Sequence, residues 1–190
     1  MLGGNGRPDI QGTRDLIFEY VETHPGTHLR EIGRALGLGM GDLQYNLYIL
    51  EKQGKVSTAR RGLYKFVFPS GVFGEKQSAI LSALAIESQR EILIHLIKNP
   101  ALSQNQIARL IGLTPATISW HMKRLLELGI VERVRNGKTV SYRVLGDKEE
   151  IEKFVRSYHP GFWERLSSKL ADIILELSAN DLTKKENNSH

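Results

Sequence analysis

The spacing of apolar residues along the chain follows two rhythms, and the change from one to the other occurs twice. Apolar side chains first recur every three or four residues, which is typical of helices with one buried face, and later alternate with polar ones, as in β-strands. Leu43, Leu47 and Leu50 show the helical spacing, and residues 63–68 show the alternation. Each half of the chain is therefore predicted to form three helices followed by a β-hairpin.

Turn and capping residues predict where these elements begin and end. Gly37 closes the second helix of the first half, and Thr114 is expected at an N-cap with Pro115 at the first helical position. The hairpin turns are predicted at residues 60–62 and at Asn136-Gly137, a dipeptide favoured in tight hairpins.

The two halves are copies of one sequence pattern. Residues 17–56 fall on residues 92–131 without a gap when they are shifted by 75 positions. The identical pairs are Ile17/Ile92, Pro25/Pro100, Ile32/Ile107, Arg34/Arg109, Gly37/Gly112, Leu38/Leu113, Leu50/Leu125, Gly54/Gly129 and Val56/Val131. The hairpins align through residues 64–66 and 142–144, which are 78 apart. A repeat of this length indicates a duplicated small domain, because it exceeds a solenoid unit.

The repeat predicts a mainly α fold with small β-hairpin wings, built from two domains that we call the first and the second repeat. Residues 1–12 are expected to be a flexible lead-in, 13–69 the first repeat, 70–77 a linker and 78–147 the second repeat. Residues 148–179 are expected to form C-terminal helices and 180–190 a disordered tail.

Composition narrows the class of protein. The 190 residues include no cysteine, no run long and apolar enough to span a membrane and no secretory leader, which predicts a reducing, cytoplasmic setting. Net charge is +5, distributed as +2 over residues 1–74, +4 over 75–147 and −1 over 148–190. The basic charge lies in the repeats, which favours a polyanionic partner.

Two helices joined by a short glycine-bearing turn and followed by a hairpin make a winged helix-turn-helix. Residues 112–144, GLTPATISWHMKRLLELGIVERVRNGKTVSYRV, resemble ArsR- and MarR-type winged-helix regulators in the tandem form found in archaea, and residues 82–96 are similar to the opening helix of ArsR-like proteins. The resemblance implies a transcriptional regulator that binds double-stranded DNA as a homodimer, with a possible effector. Metal-sensing relatives carry a Cys-x-Cys pair where this chain has Ser103 and Asn105, so no metal sensing is expected.

The second repeat carries the stronger candidate site for DNA. The stripe formed by Ile118, Met122 and Leu125 is expected to be buried, which leaves the opposite helix face to the major groove. The candidate contacts are Thr114, Ala116, Thr117, Trp120, His121, Lys123 and Arg124 on the helix and Arg133, Arg135, Lys138 and Arg143 on the wing. The alternative is a solvated helix beside a charged hairpin.

The first repeat is the weaker candidate, because Asp42 stands in the first helical turn where the second repeat has Thr117 and would repel phosphate. Its wing is nevertheless basic. The candidate contacts are Gln44, Lys55, Arg60, Arg61 and Lys65, with Tyr45, Asn46 and Tyr48 able to hydrogen-bond or stack. An auxiliary DNA contact and a structural or ligand-sensing role both fit this pattern.

The last predicted helix is a candidate for assembly. Its apolar residues recur at three- and four-residue steps, like a short coiled-coil seam. The residues expected to dimerise are Phe162, Trp163, Leu166, Leu170, Ile173 and Leu177. The alternative is that this helix folds back on its own domain.

Other classes of function have little support in the sequence. The histidines are scattered without a carboxylate cluster at ligand spacing, so neither a metal nor a cofactor is expected. No phosphate loop or nucleophile elbow is present, and no enzyme activity is expected. The competing hypothesis is a winged-helix module that docks other proteins in a larger assembly.

Overall fold

The computed structural model describes residues 10–146, and in this range the chain is mainly helical with two antiparallel wings. The first repeat begins with helix α1 and ends with the hairpin that we call the first wing. Its elements are α1 (Ile10–Thr23), β1 (Thr27–His28), α2 (Leu29–Leu36), α3 (Met40–Lys52), β2 (Val56–Arg61) and β3 (Tyr64–Pro69).

The second repeat follows the same order after one additional helix. Its hairpin is the second wing. The elements are α4 (Glu75–Leu84), α5 (Glu87–Lys98), α6 (Gln104–Ile111), α7 (Pro115–Glu127), β4 (Val131–Asn136) and β5 (Thr139–Val144).

The repeat extends through both wings at one spacing. Helices α6 and α7 and strands β4 and β5 begin and end 75 positions after α2, α3, β2 and β3. The bridge between Leu102 and Tyr142 likewise lies 75 positions after the β1–β3 pair of Thr27 and Val67. The 78-residue alignment of the hairpins is therefore wrong. It matched the wings by similar aromatic residues, whereas the strand pairing in the two wings is equivalent at a spacing of 75.

Both hairpin loops begin later than predicted, the first by two positions and the second by one. Arg61 pairs with Tyr64 and Asn136 with Thr139, which leaves Gly62-Leu63 and Gly137-Lys138 as two-residue loops. Gly62 and Gly137 have φ values of 62° and 60°, a left-handed conformation that glycine adopts without a steric penalty. Glycine thus occupies the first loop position in both wings.

Each repeat has its own apolar core, in which the three helices and the hairpin meet. Ile17, Ile32, Leu43 and Val67 belong to one cluster of buried residues in the first repeat. The equivalent positions of the second repeat are Ile92, Ile107, Ile118 and Tyr142, and all four are buried.

Helix α4 corrects the expectation of a linker over residues 70–77. It begins at Glu75 and packs against both β1 and α5. Its approach to the first repeat is close: a Cβ added at Gly26 would lie 2.6 Å from Leu81 Cβ. Arg61 of the first wing also pairs with Glu75 at 2.9 Å. The two repeats are therefore joined by a packed helix.

Two further boundaries differ from expectation or lie beyond the described residues. Helix α1 begins at Ile10, within the predicted lead-in of residues 1–12. The predicted C-terminal helices (148–179), their six dimerisation residues and the predicted tail (180–190) lie outside the described residues. Within residues 10–146, no helix combines the length and the apolar character needed to cross a membrane.

Candidate nucleic-acid interface

The turn before α7 is built by local rules that the sequence predicts. Gly112 ends α6 in the left-handed conformation, with φ at 74°. Thr114 is the N-cap of α7: its Oγ1 accepts a hydrogen bond from the Thr117 backbone N–H at 3.2 Å, and Pro115 follows at the start of the helix. Gln104 of α6 donates to the Pro115 carbonyl at 3.1 Å. These contacts fix the angle at which α7 leaves α6 and confirm the predicted cap.

Near its N-terminus, helix α7 presents to solvent a face without acidic residues. Ala116 is exposed, Trp120 is 42% exposed and Thr117 is partly buried. The Thr117 hydroxyl lies 2.9 Å from that of Thr114, so both hydroxyls stand at the same helix end. Backbone N–H groups and hydroxyls at a helix N-terminus suit a phosphate or a base edge.

The prediction that His121 lies on this exposed face is wrong. The residue is 8% exposed and belongs to the buried face with Ile118 and Met122. A core-facing helical stripe spans more than 100°, and His121 lies within that width. Burial lowers the pKa of His121, and its Nδ1 atom has no hydrogen-bond partner among the described residues.

Farther along α7, the two cations differ in their surroundings. Lys123 is exposed and lies 3.9 Å from Glu127. Arg124 is partly buried, and its guanidinium stacks over the Trp120 ring at 5.5 Å. The same guanidinium lies against Gly62 of the first wing, so that a Cβ added there would overlap it. Arg124 therefore links the second repeat's α7 to the first repeat's wing.

The second wing carries two cations at its tip. Arg135 and Lys138 are exposed, and neither forms a salt bridge within residues 10–146. At the base, Arg143 pairs with Glu132, and the Arg133 guanidinium lies 6.0 Å from the centre of the Tyr142 ring. Charge is thus available at the tip and partly neutralised at the base.

In the first wing, most of the predicted cations have partners within the protein. The Arg61 side chain is 14% exposed and paired with Glu75, which corrects its expected availability to DNA. Lys65 lies 3.8 Å from Glu51, and Lys55 lies 5.4 Å from the Phe18 ring centre. Arg60 is exposed and has no salt bridge in the described part of the chain.

Helix α3 is also less suited than α7 to contact phosphate, because its first turn carries an exposed acid. Asp42 is exposed in its first turn, and Gln44, Tyr45 and Tyr48 are exposed beyond it. Asn46, expected to be available for hydrogen bonding, is only 5% exposed and donates to the Asp42 carbonyl at 2.9 Å. It occupies the position equivalent to His121, so both repeats bury a polar side chain there.

No group of three or more His, Cys, Asp or Glu side chains in residues 10–146 is placed to hold a metal ion.

Two family models match the chain, one on each repeat. Residues 11–80 match a family described as an N-terminal HTH domain, and residues 87–132 match a family described as winged helix-turn-helix DNA-binding. An HTH-type transcriptional regulator of Methanocaldococcus jannaschii, MJ1398, is 30% identical over 145 residues, which are 76% of this chain and 36% of that protein. The chain thus spans about a third of the length of this relative.

Parts of the chain are also similar to solved bacterial structures. HlyU of Vibrio cholerae is 29% identical over 44% of this chain and 90% of its own, with a TM-score of 0.38. An ArsR-like transcriptional regulator of Rhodococcus sp. RHA1 is 24% identical over 57% of this chain and 92% of its own, with a TM-score of 0.37.

The first matched region covers the first repeat through its wing and continues into α4, and the second covers α5, α6 and α7 and ends at the start of the second wing. The chain carries two helix-turn-helix domains in tandem, the second of which matches the winged helix-turn-helix DNA-binding family, and it is homologous to an HTH-type transcriptional regulator.

Proposed function

We propose that the chain is a transcriptional regulator that binds double-stranded DNA mainly through α7 and the second wing. The observation that carries this proposal is the pair of exposed cations, Arg135 and Lys138, beside a helix whose N-terminal face is free of acids. A helix of about 12 Å diameter fits the major groove, and a basic hairpin next to it reaches the flanking phosphates.

The roles within this surface follow from the chemistry of each side chain. Thr117 and Trp120 stand where α7 would meet base edges, so they carry preference between sequences. Arg135, Lys138 and Lys123 meet phosphates, so they carry affinity that depends on salt. The first repeat makes an auxiliary, mainly electrostatic contribution through Arg60 and Lys65, since Arg61 is paired with Glu75.

The test is duplex binding by the full chain, measured by fluorescence anisotropy over a range of salt concentrations. Arg135→Ala with Lys138→Ala should weaken binding to all duplexes about equally, by roughly tenfold, and should reduce the salt slope by roughly 2. Lys52→Ala with Lys76→Ala removes the same charge from exposed positions outside the surface and should leave the slope nearly unchanged.

The outcomes separate this proposal from its rival. Equal slopes in the two double variants would contradict the role of the second wing. No duplex binding by the wild-type chain at low salt would instead favour a protein-docking module.

We further propose that the protein acts as a homodimer that presents two copies of α7 to a roughly palindromic site. This rests on the apolar seam of the sequence between Phe162 and Leu177. Leu166→Glu with Leu170→Glu should halve the mass measured by light scattering. An unchanged mass would contradict the role of this seam.

A further inference from the structure

A groove in the first repeat lies where α2 begins, α3 begins and the first wing turns. Its volume is about 320 Å³, within the range of sites for small organic ligands. We call it the first-repeat groove. The six lining residues that determine its chemistry are Leu29, Arg30, Met40, Arg60, Leu63 and Lys65.

The charge of the groove is positive. Arg30, Arg60 and Lys65 line it, and none of its lining residues is an acid. Lys65 is held only loosely by Glu51, at 3.8 Å, and Arg30 and Arg60 have no salt bridge in the described part of the chain. Three convergent cations with little internal neutralisation favour an anion.

Apart from Gln44, the remaining lining is apolar or aromatic. Leu63 is 83% exposed at the wing tip, and Leu29 and Met40 lie across the groove on α2 and α3. The rings of His28 and Tyr64 pack at 5.0 Å on its wall. Burial lowers the pKa of His28, whose Nδ1 atom accepts a hydrogen bond from the Glu31 N–H, so the groove's positive charge at neutral pH comes from the arginines and lysine.

The second repeat does not reproduce this combination. Seventy-five positions later, Arg30 corresponds to Asn105, Leu63 to Lys138 and Lys65 to Val140. The wing tip is therefore cationic in the second repeat and apolar in the first. A general surface for the phosphate backbone would have no use for an exposed leucine at this point, whereas a ligand with an apolar body would cover it.

We propose that the first-repeat groove binds a small organic anion, whose acid group contacts Arg30, Arg60 and Lys65 and whose apolar body covers Leu63. Leu29 and Met40 bound the same body on the opposite side. The molecule has the chemistry of an aromatic or branched aliphatic carboxylate, sulfonate or phosphate monoester.

Occupancy of this groove has a route to the DNA surface. Leu63 follows Gly62 directly and Arg60 lies two positions before it, and Gly62 lies against the Arg124 guanidinium of α7. A bound anion also cancels the positive charge that Arg60 and Lys65 add near that helix. The ligand therefore weakens duplex binding, and this second part of the inference rests on the proposed function.

The first experiment measures ligand binding without DNA. Naphthoate and its neutral analogue naphthamide are titrated into the full chain by calorimetry. Naphthoate should bind with a dissociation constant below about 1 mM and naphthamide at least tenfold more weakly. Equal binding of the two, or no binding of naphthoate, naphthalene sulfonate or naphthyl phosphate, would overturn the site.

Variants then locate the site. Arg60→Ala with Lys65→Ala should weaken naphthoate binding at least tenfold, whereas Lys52→Ala with Lys76→Ala should leave it within about twofold. Leu63→Ser should weaken naphthoate by about fivefold without altering thermal stability, because the side chain is exposed. Equal losses in both double variants would show nonspecific charge attraction and overturn the assignment.

A third experiment, with duplex DNA, distinguishes a free anion from the DNA backbone as the occupant of the groove. Saturating naphthoate should reduce duplex affinity about threefold in the wild-type chain and leave it unchanged in the Arg60→Ala/Lys65→Ala variant. If that variant lost as much duplex affinity as Arg135→Ala/Lys138→Ala, the groove would be a backbone surface and the small-anion proposal would fail. A chain that binds naphthoate but no duplex would refute the proposed function and leave the site intact.

Discussion

The two wings have the same register and the same glycine at the same loop position, yet they direct their charge differently. In the second wing, Arg135 and Lys138 form no salt bridge within the described residues. In the first wing, Arg61 is paired with Glu75 of α4 and Lys65 is near Glu51. Total basic charge in a wing therefore overstates the charge that is available to a partner, and the unpaired cations are a better measure of it.

The largest expected effect tests the contact between Gly26 of the first repeat and Leu81 of α4. Gly26→Ala should lower the free energy of unfolding by about 3 kcal/mol, because its φ of 80° disfavours a side chain and Leu81 occupies the space. Gly71→Ala, at a φ of 72° with open space around it, should cost only about 1 kcal/mol. Denaturant unfolding checks both, and equal losses would show that the packing of α4 adds nothing.

The next largest effect is expected from exchanging the residues that distinguish α7 from α3, Thr117 and Asp42. Thr117→Asp should weaken duplex binding about thirtyfold, through lost contacts and repulsion of phosphate. Aspartate near a helix N-terminus is favourable, so the variant should remain folded. The reciprocal Asp42→Thr change should alter affinity by less than about twofold if α3 is not the main reader. A stronger gain from Asp42→Thr than loss from Thr117→Asp would reverse the assignment of the two helices.

A smaller difference in stability is expected between alanine variants of the glycines at the two wing tips. Gly62→Ala and Gly137→Ala should each cost about 1 kcal/mol, since both φ values lie near +60°. Gly62→Ala should cost roughly 0.5 kcal/mol more, because it displaces Arg124 from the Trp120 ring. Unfolding curves and the change in tryptophan emission relative to the wild-type chain report the two effects. Identical emission in both variants would indicate that the first wing does not hold Arg124.

The smallest effect concerns the polar residue that each repeat buries in its third helix. Because burial lowers the pKa of His121 below 6.5, the unfolded chain binds a proton more readily, and stability should fall as pH falls below about 6.5. His121→Asn, which copies Asn46, should reduce this slope by less than about 1 kcal/mol per pH unit. The part due to His28 should remain.

Above about pH 7.5 both histidines are neutral, so the difference between wild type and His121→Asn should there be independent of pH. A variant whose stability depends on pH as strongly as that of the wild-type chain would contradict a buried, neutral His121.

The elements themselves could be predicted because local rules determine them. Thr114 with Pro115 starts α7, Gly37 and Gly112 end α2 and α6, and Ser103 starts α6 in a capping box with Gln106. These signals act within four residues, which is the distance over which sequence patterns are informative.

What sequence reasoning missed depends on contacts between distant positions. Nothing near Arg61 indicates that Glu75 will pair with it, and the apolar stripe of α7 gives no sign that His121 is included. The groove was missed for the same reason, since three separate elements line it. Leu63 offered a signal, because an apolar residue in a tight turn is unusual unless something covers it.

The packing of α4 also determines where this chain can be divided. A fragment that begins at residue 78 would retain most of this helix but expose the side of it that Leu81 presents to Gly26. A fragment that ends at residue 69 would leave β1 and Gly26 uncovered in turn. Separate expression of either repeat therefore exposes an apolar surface that favours aggregation. The shortest fragment expected to stay soluble contains both repeats.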